Sequence, residues 1–258
     1  MAGDDEKSSV FGDQAGSVEL LWGGREKPSR GPKPVLSLER ITRTAIGVAD
    51  AGGLGAVSMQ RVAGELNFTK MSLYRYVPGK SELVALMIDA AMGDPPGAHG
   101  AEAGGEGVRG WRTALREWAE GLAAVYHRHP WLLDAAVGPR VMGPHELAWT
   151  ERAVAALAQA GLSGAEQLDA VVVVNGHIRA IAQVSVSMGL GSARAKDPEQ
   201  AVSAALNELL VSRGDRFPAV AAAVRAAATD QTARNQAWEF GLERIMDGLE
   251  AYLARGEA

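Results

Sequence analysis

Cysteine is absent from all 258 residues. That excludes disulfides, thiolate metal sites and cysteine nucleophiles, and it fits a reducing cytoplasm. Long apolar runs are lacking too. A bilayer-spanning helix needs roughly 20 predominantly apolar residues, whereas the run at 171–174 is followed at once by Asn175, His177 and Arg179. The opening MAGDDEKSSV is acidic and polar, unlike a secretory signal. The expectation is a cytoplasmic chain that meets no membrane. Sustained apolar–polar alternation, the mark of a half-buried strand, is missing, and so is any internal repeat. The chain has no GxSxG, no HExxH, no phosphate loop and no isolated carboxylate pair in an apolar run, so no catalytic residue is assigned. Metal-ligand spacing is absent as well. His127 and His129 lie two apart and cannot share a helix face, and His177 has no histidine or carboxylate three or four residues on. No cofactor and no metal are expected, and the chain is not expected to be an enzyme.

What is present is helical periodicity in an ordinary globular balance, 47% hydrophobic and 22% charged. Residues 1–34, rich in Gly, Ser, Asp and Pro, read as a disordered arm ending in the basic run of Arg25, Lys27, Arg30 and Lys33. Residues 35–92 hold four short amphipathic segments. In the first, Leu38, Ile41, Ala45 and Ala49 recur at spacings of three and four after a capping Ser37, and Gly52–Gly53 end it. Ser58 and Thr69 are the caps expected for the next two, and a fourth runs over 80–92. The composition of 93–107, GDPPGAHGAEAGGEG, is that of a flexible linker. Residues 108–258 are helical in pattern almost throughout. The expected fold is all-α, with an N-terminal three-helix helix-turn-helix domain and a larger helical domain.

The net charge of −5 would suit a DNA binder poorly if it were spread evenly. It is not. Residues 1–26 carry a net −4, residues 27–92 a net +4 and residues 93–258 a net −5. The basic segment coincides with SMQRVAGELNFTKMSLYRYVPGK at 58–80, two short helices joined by a tight turn. On the second helix Leu73 and Val77 face inward, four apart, and leave Thr69, Lys70, Ser72, Tyr74 and Tyr76 over the remaining arc, with Met71 at its margin. A helix of this size fits the major groove, and recognition helices present their N-terminal residues to base edges. Lys70, Met71 and Ser72 are therefore the candidates for sequence readout: Lys70 toward guanine O6 and N7, Met71 toward a thymine methyl. Tyr74 can pack its ring inward while its hydroxyl reaches a phosphate. Lys80, opening the fourth helix, can grip a phosphate together with the helix amides. Ser58, Gln60 and Arg61 would meet the backbone or the groove edge.

Residues 41–92 resemble the N-terminal domain of the tetracycline-repressor (TetR) family of transcriptional regulators. The resemblance rests on AIGVADAGGLGAVSMQRVAGEL, on LNFTKMSLYRYV and on GKSELV, and the SLYRYV and GKSEL stretches are its most specific part. By matching position it implies base or phosphate contacts by Gln60, Thr69, Lys70, Met71, Ser72, Tyr74, Tyr76 and Lys80. Asn67 stands where the family usually has glycine in the turn, and asparagine tolerates the left-handed conformation required there. Arg75 adds a possible phosphate contact. The resemblance further implies a ligand-responsive regulator, with 108–258 as a regulatory and dimerisation domain. It would be a homodimer through helices near 163–189 and 232–254, a repressor on a palindromic double-stranded operator, released by a small-molecule inducer. The rival reading is a helical ligand-binding module or small-molecule enzyme that does not bind DNA.

For the regulatory body the sequence leaves two readings open. Trp111, Leu115 and Trp118 form one stripe with Trp131 and Trp149 not far along the chain, which suits either the lining of an apolar ligand pocket or plain core. Asn175, His177, Arg179 and Gln183 interrupt a strongly apolar helix. They could orient a ligand, bond across a dimer interface or be satisfied core polars.

Overall fold

The computed structural model describes residues 15–23, 35–97, 108–138, 140–187, 206–210, 213–229 and 236–256. Among these every regular element is helical, as the missing strand alternation requires. The chain divides into two compact units. The first comprises Met1–Gly104 and Ala124–Ala153, the second Gly105–Ala123 and Val154–Ala258. A boundary at the Gly-rich stretch 93–107 does not reproduce this division, since residues 124–153 group with the N-terminal unit. Polar contacts that composition cannot reveal hold them there. The Asp50 carboxylate accepts from the indole Nε1 of Trp131 at 2.7 Å and faces His129 Nδ1 at 2.8 Å, and the Trp149 indole donates to the Gly93 carbonyl at 3.0 Å.

The N-terminal unit opens with helix α1, Ala15–Trp22, within the stretch expected to be a disordered arm. That expectation is corrected for these residues. α1 packs on α5 (Lys80–Met92) and buries Ser17, and its Trp22 indole donates to the Met142 carbonyl at 2.9 Å. Its four large apolar residues, Val18, Leu20, Leu21 and Trp22, give a helix enough apolar surface to dock. Residues 1–14 and 24–34, which include the basic run, lie outside the described residues, as do 98–107 of the expected linker.

Helix α2 (Leu38–Gly52) starts at Ser37, whose Oγ accepts from the Arg40 amide at 3.2 Å. Helices α3 (Met59–Leu66) and α4 (Lys70–Tyr74) follow, then α5. Ile41, Ala45, Val62, Leu73, Val77, Leu83 and Met87 have no exposed surface at all, and they are the residues the three-and-four spacing turns inward. Full burial of one large aliphatic side chain is worth about 1.5–3 kcal/mol, so this small core fixes the angle between α3 and α4. The short helix α7, Leu132–Ala135, packs against α5 in the same unit. Between α7 and α5 in sequence lies α6 (Val108–Arg128), and α8 (Pro144–Gln159) follows; the division between units falls within both.

In the second unit α9 (Gly164–Ser187) packs against α11 (Gln236–Gly256), with α10 (Pro218–Thr229) between them in sequence. At the start of α9 the Glu166 carboxylate reaches back to accept from the Ser163 amide at 2.8 Å, one half of a capping box. The buried row of α9 is Ala170, Val174, Ile178 and Ala182 at strict intervals of four, and Leu242 and Met246 are its buried counterparts on α11. By length and composition α9 is also apolar enough to cross a membrane, more than the short runs in the sequence indicate.

Candidate nucleic-acid interface

The turn between α3 and α4 is built by Asn67, which sits at φ 60°, ψ 39°. It is the one non-glycine residue with positive φ among the described residues. Its position generates a Schellman close: the Phe68 amide donates to the Ala63 carbonyl at 2.9 Å and the Asn67 amide to the Gly64 carbonyl at 3.0 Å. Asparagine is tolerated in this conformation because its side chain can bond locally, so the turn expected from the sequence forms without glycine.

Both helices of the pair are capped by hydroxyls that the sequence also nominates for DNA. Ser58 Oγ accepts from the Arg61 amide at 3.1 Å, and Thr69 Oγ1 accepts from the Ser72 amide at 3.2 Å. The Ser72 and Thr69 hydroxyls lie 2.9 Å apart. Such caps satisfy otherwise orphaned amides. They also hold the N-terminal turn of α4 rigid, which a reading head requires.

The remaining nominated side chains cover the outer surface. Gln60, Arg61, Lys70, Met71 and Lys80 are exposed. Met71 keeps 71% of its surface in solvent. The Lys70 ammonium stands 5.4 Å from the centre of the Tyr74 ring, which orients it while leaving its donors free. Arg61 is paired with Glu65 at 2.9 Å, both largely exposed; this surface pair is weak enough for a phosphate to compete for Arg61. Tyr76 is half-buried and, with the exposed Arg75, lines an open groove of about 1110 Å³ on the same unit.

The nine residues nominated for a ligand pocket fall in different units. Trp131 and Trp149 lie in the first, each buried and each donating from its indole to the partners described above. Trp111, Leu115 and Trp118 lie buried on α6 in the second unit; on α9 of the same unit Asn175, His177 and Arg179 are half-buried and Gln183 is exposed. His177 stacks on Trp238 with ring centres 5.7 Å apart, and its Nε2 lies 3.1 Å from the Trp238 carbonyl. The indole nitrogen of Trp111 is buried with no hydrogen-bond partner among the described residues. None of the nine lines the 1110 Å³ groove.

Several contacts that shape the units had no signal in the sequence. Asp89, a lone acid near the end of α5, accepts from the backbone amides of His145 and Glu146 at 2.8 and 3.3 Å and faces His145 Nδ1 at 2.8 Å, so it caps α8 from another helix. Arg140 is paired with the buried Glu146. On the second unit Arg112 meets Glu243, Asp247 and Glu250, each at 2.7 Å, and Arg116 meets Glu239 at 2.9 Å and Glu243. These partners are more than a hundred residues apart, beyond the reach of any local pattern.

A two-helix unit with a rigid, capped, solvent-facing second helix on a separate helical body defines the class of helix-turn-helix transcriptional regulators. Comparison with known proteins narrows it. Residues 104–253 match the family described as "Tetracyclin repressor-like, C-terminal domain". Over 260 residues the chain is 37% identical to the HTH-type transcriptional repressor DrrR1 of Streptomyces coeruleorubidus, covering 98% of this chain and 92% of that protein. Apo ActR of Streptomyces coelicolor superposes with a TM-score of 0.67 at 25% identity, covering 87% of this chain and 100% of ActR. ActR in complex with actinorhodin gives 0.68 at 26% identity, over 86% and 99%. The chain belongs to the TetR family of transcriptional regulators.

Proposed function

We propose that the chain is a repressor that binds a palindromic operator as a homodimer and is released by a small-molecule inducer. The observation that carries the DNA reading is the outer face of α4, where Lys70 and Met71 stand exposed on a helix rigidly capped by Thr69. A dimer is supported by α9. Leu168, Val172, Gly176, Ala180 and Val184, spaced by four on the side away from the buried row, are all exposed, and Phe240 on α11 keeps 64% of its surface in solvent. An apolar ridge of this kind with small residues at its centre suits a second copy of the same helix pair. The Trp111 indole, without a partner among the described residues, supports an inducer site, because buried donors in native proteins are nearly always satisfied and a ligand acceptor would satisfy this one. Release requires that the inducer bind the operator-competent and incompetent conformers with unequal affinity.

Lys70 and Lys80 separate readout from attachment. In mobility-shift titrations, Lys70→Ala is expected to lose about tenfold or more of the preference for operator over random DNA. Lys80→Ala is expected to weaken both DNAs by a similar factor. Equal losses for the two variants on both DNAs would refute that division. No retardation of any DNA at low salt would leave the rival, a helical ligand-binding module.

A further inference from the structure

The 1110 Å³ groove lies within the N-terminal unit, and neither Lys70 nor Met71 is among the residues that line it. Leu20 and Leu21 of α1, Leu36, Ile46 of α2 and Leu86 of α5 give it an apolar wall. Thr42 and Tyr76 add hydroxyls, and Arg75 a guanidinium. We propose that this groove is a small-molecule site in the DNA-binding unit for an anionic amphiphile, whose apolar body fills the leucine-lined space and whose acid group is held by Arg75.

Size is the first argument. Sites for drug-sized ligands occupy about 300–1,000 Å³ and combine a mostly apolar lining with a few convergent polar groups; at about 1110 Å³ this groove is slightly larger than that range, and its lining has the same mix. Charge selects the ligand class. Both acids on the lining are already engaged: Asp89 caps α8 and faces His145, and Glu39 is paired with Arg43 at 2.5 Å. Arg75 makes no ion pair among the described residues. A planar guanidinium beside an apolar wall offers a fork to a carboxylate, sulfonate or phosphate, whereas a cationic ligand would be repelled by it. Position then gives the consequence. Arg75 is the C-cap of α4, so an acid group in the groove takes a cation from the recognition helix. Ligand and DNA phosphate would compete for it, and by linkage each must weaken the other. This competition rests on the DNA reading above; binding of the amphiphile does not.

The test uses the full chain with two probes: 8-anilinonaphthalene-1-sulfonate, and N-phenyl-1-naphthylamine, which has the same rings without the sulfonate. Arg75→Gln should weaken the sulfonate about tenfold, the scale of one charge-assisted contact, and leave the neutral probe unchanged. Ile46→Trp, which puts an indole against the apolar wall both probes would use, should weaken the binding of both. Undiminished sulfonate binding in Arg75→Gln overturns the site, as does undiminished binding of both probes by Ile46→Trp. In mobility shifts the sulfonate should raise the protein concentration needed for half retardation by the wild type and leave Arg75→Gln unaffected. Equal effects on both proteins overturn the competition. Absence of DNA binding with the probe pattern intact would overturn the DNA reading and leave the site standing.

Discussion

Single residues fix this structure where two segments approach too closely for ordinary side chains. Gly143 lies against the Asp89 carboxylate, so that a Cβ there would overlap it. Gly241 likewise leaves the room in which the His177 ring lies on Trp238. Neither glycine needs an unusual φ; each is required for space. Gly143→Ala is therefore expected to displace Asp89 from the α8 amides, at a combined cost of lost cap and overpacking on the order of 2 kcal/mol. Thermal unfolding would show it, and an unchanged transition would mean that α8 does not depend on this cap. Asn67 is a different case. Its left-handed backbone can be read in the sequence, because it sits between an apolar helical stretch and the capping Thr69.

At the scale of elements, caps and ion pairs decide how helices meet. Ser37, Ser58 and Thr69 cap their own helices within three residues, and such caps are visible as spacing. The α6–α11 contact is held by Arg112 and Arg116 against four acids. Hydrogen bonding from Arg112, and then from Arg244, holds the Asp247 carboxyl below its ordinary range. A depressed folded-state value means the stabilisation is fully present above the ordinary aspartate range and is lost as pH falls through the folded value. Melting temperature should thus hold from neutrality to mildly acidic pH and decline below the aspartate range, less steeply in Asp247→Asn. The group is exposed and screened, so the difference should be small and diminish with salt. Identical acid limbs for the two proteins would remove Asp247 from the account. Glu166 is held low in the same sense by the Tyr252 hydroxyl, whose own ionisation is pushed up.

At the scale of the whole molecule the exposed ridge of α9 is the decisive feature. Val172 keeps 70% of its surface in solvent within one chain, so Val172→Lys should leave the protomer folded and act only on assembly. Light scattering should report monomers in place of dimers. Operator affinity should fall about 100-fold or more once the two half-sites are no longer engaged together. A dimer that survives this change must use another surface.

The sequence by itself determined the all-α class, the bounds of most helices, the capped pair α3–α4 and the residues on its outer face. All of these follow from spacings of three to five residues, within the reach of a helical turn and its caps. Tertiary structure alone decided the rest. α1 docks on α5 because apolar residues in a polar stretch find a distant partner, and Asp89 caps a helix more than fifty residues away. Trp131 and Trp149 belong with the N-terminal unit although they follow the Gly-rich stretch, and the buried Trp111 donor has no partner among the described residues. Local patterning encodes which face of a helix turns inward; which helix waits there depends on packing across the chain, and no single segment carries that information.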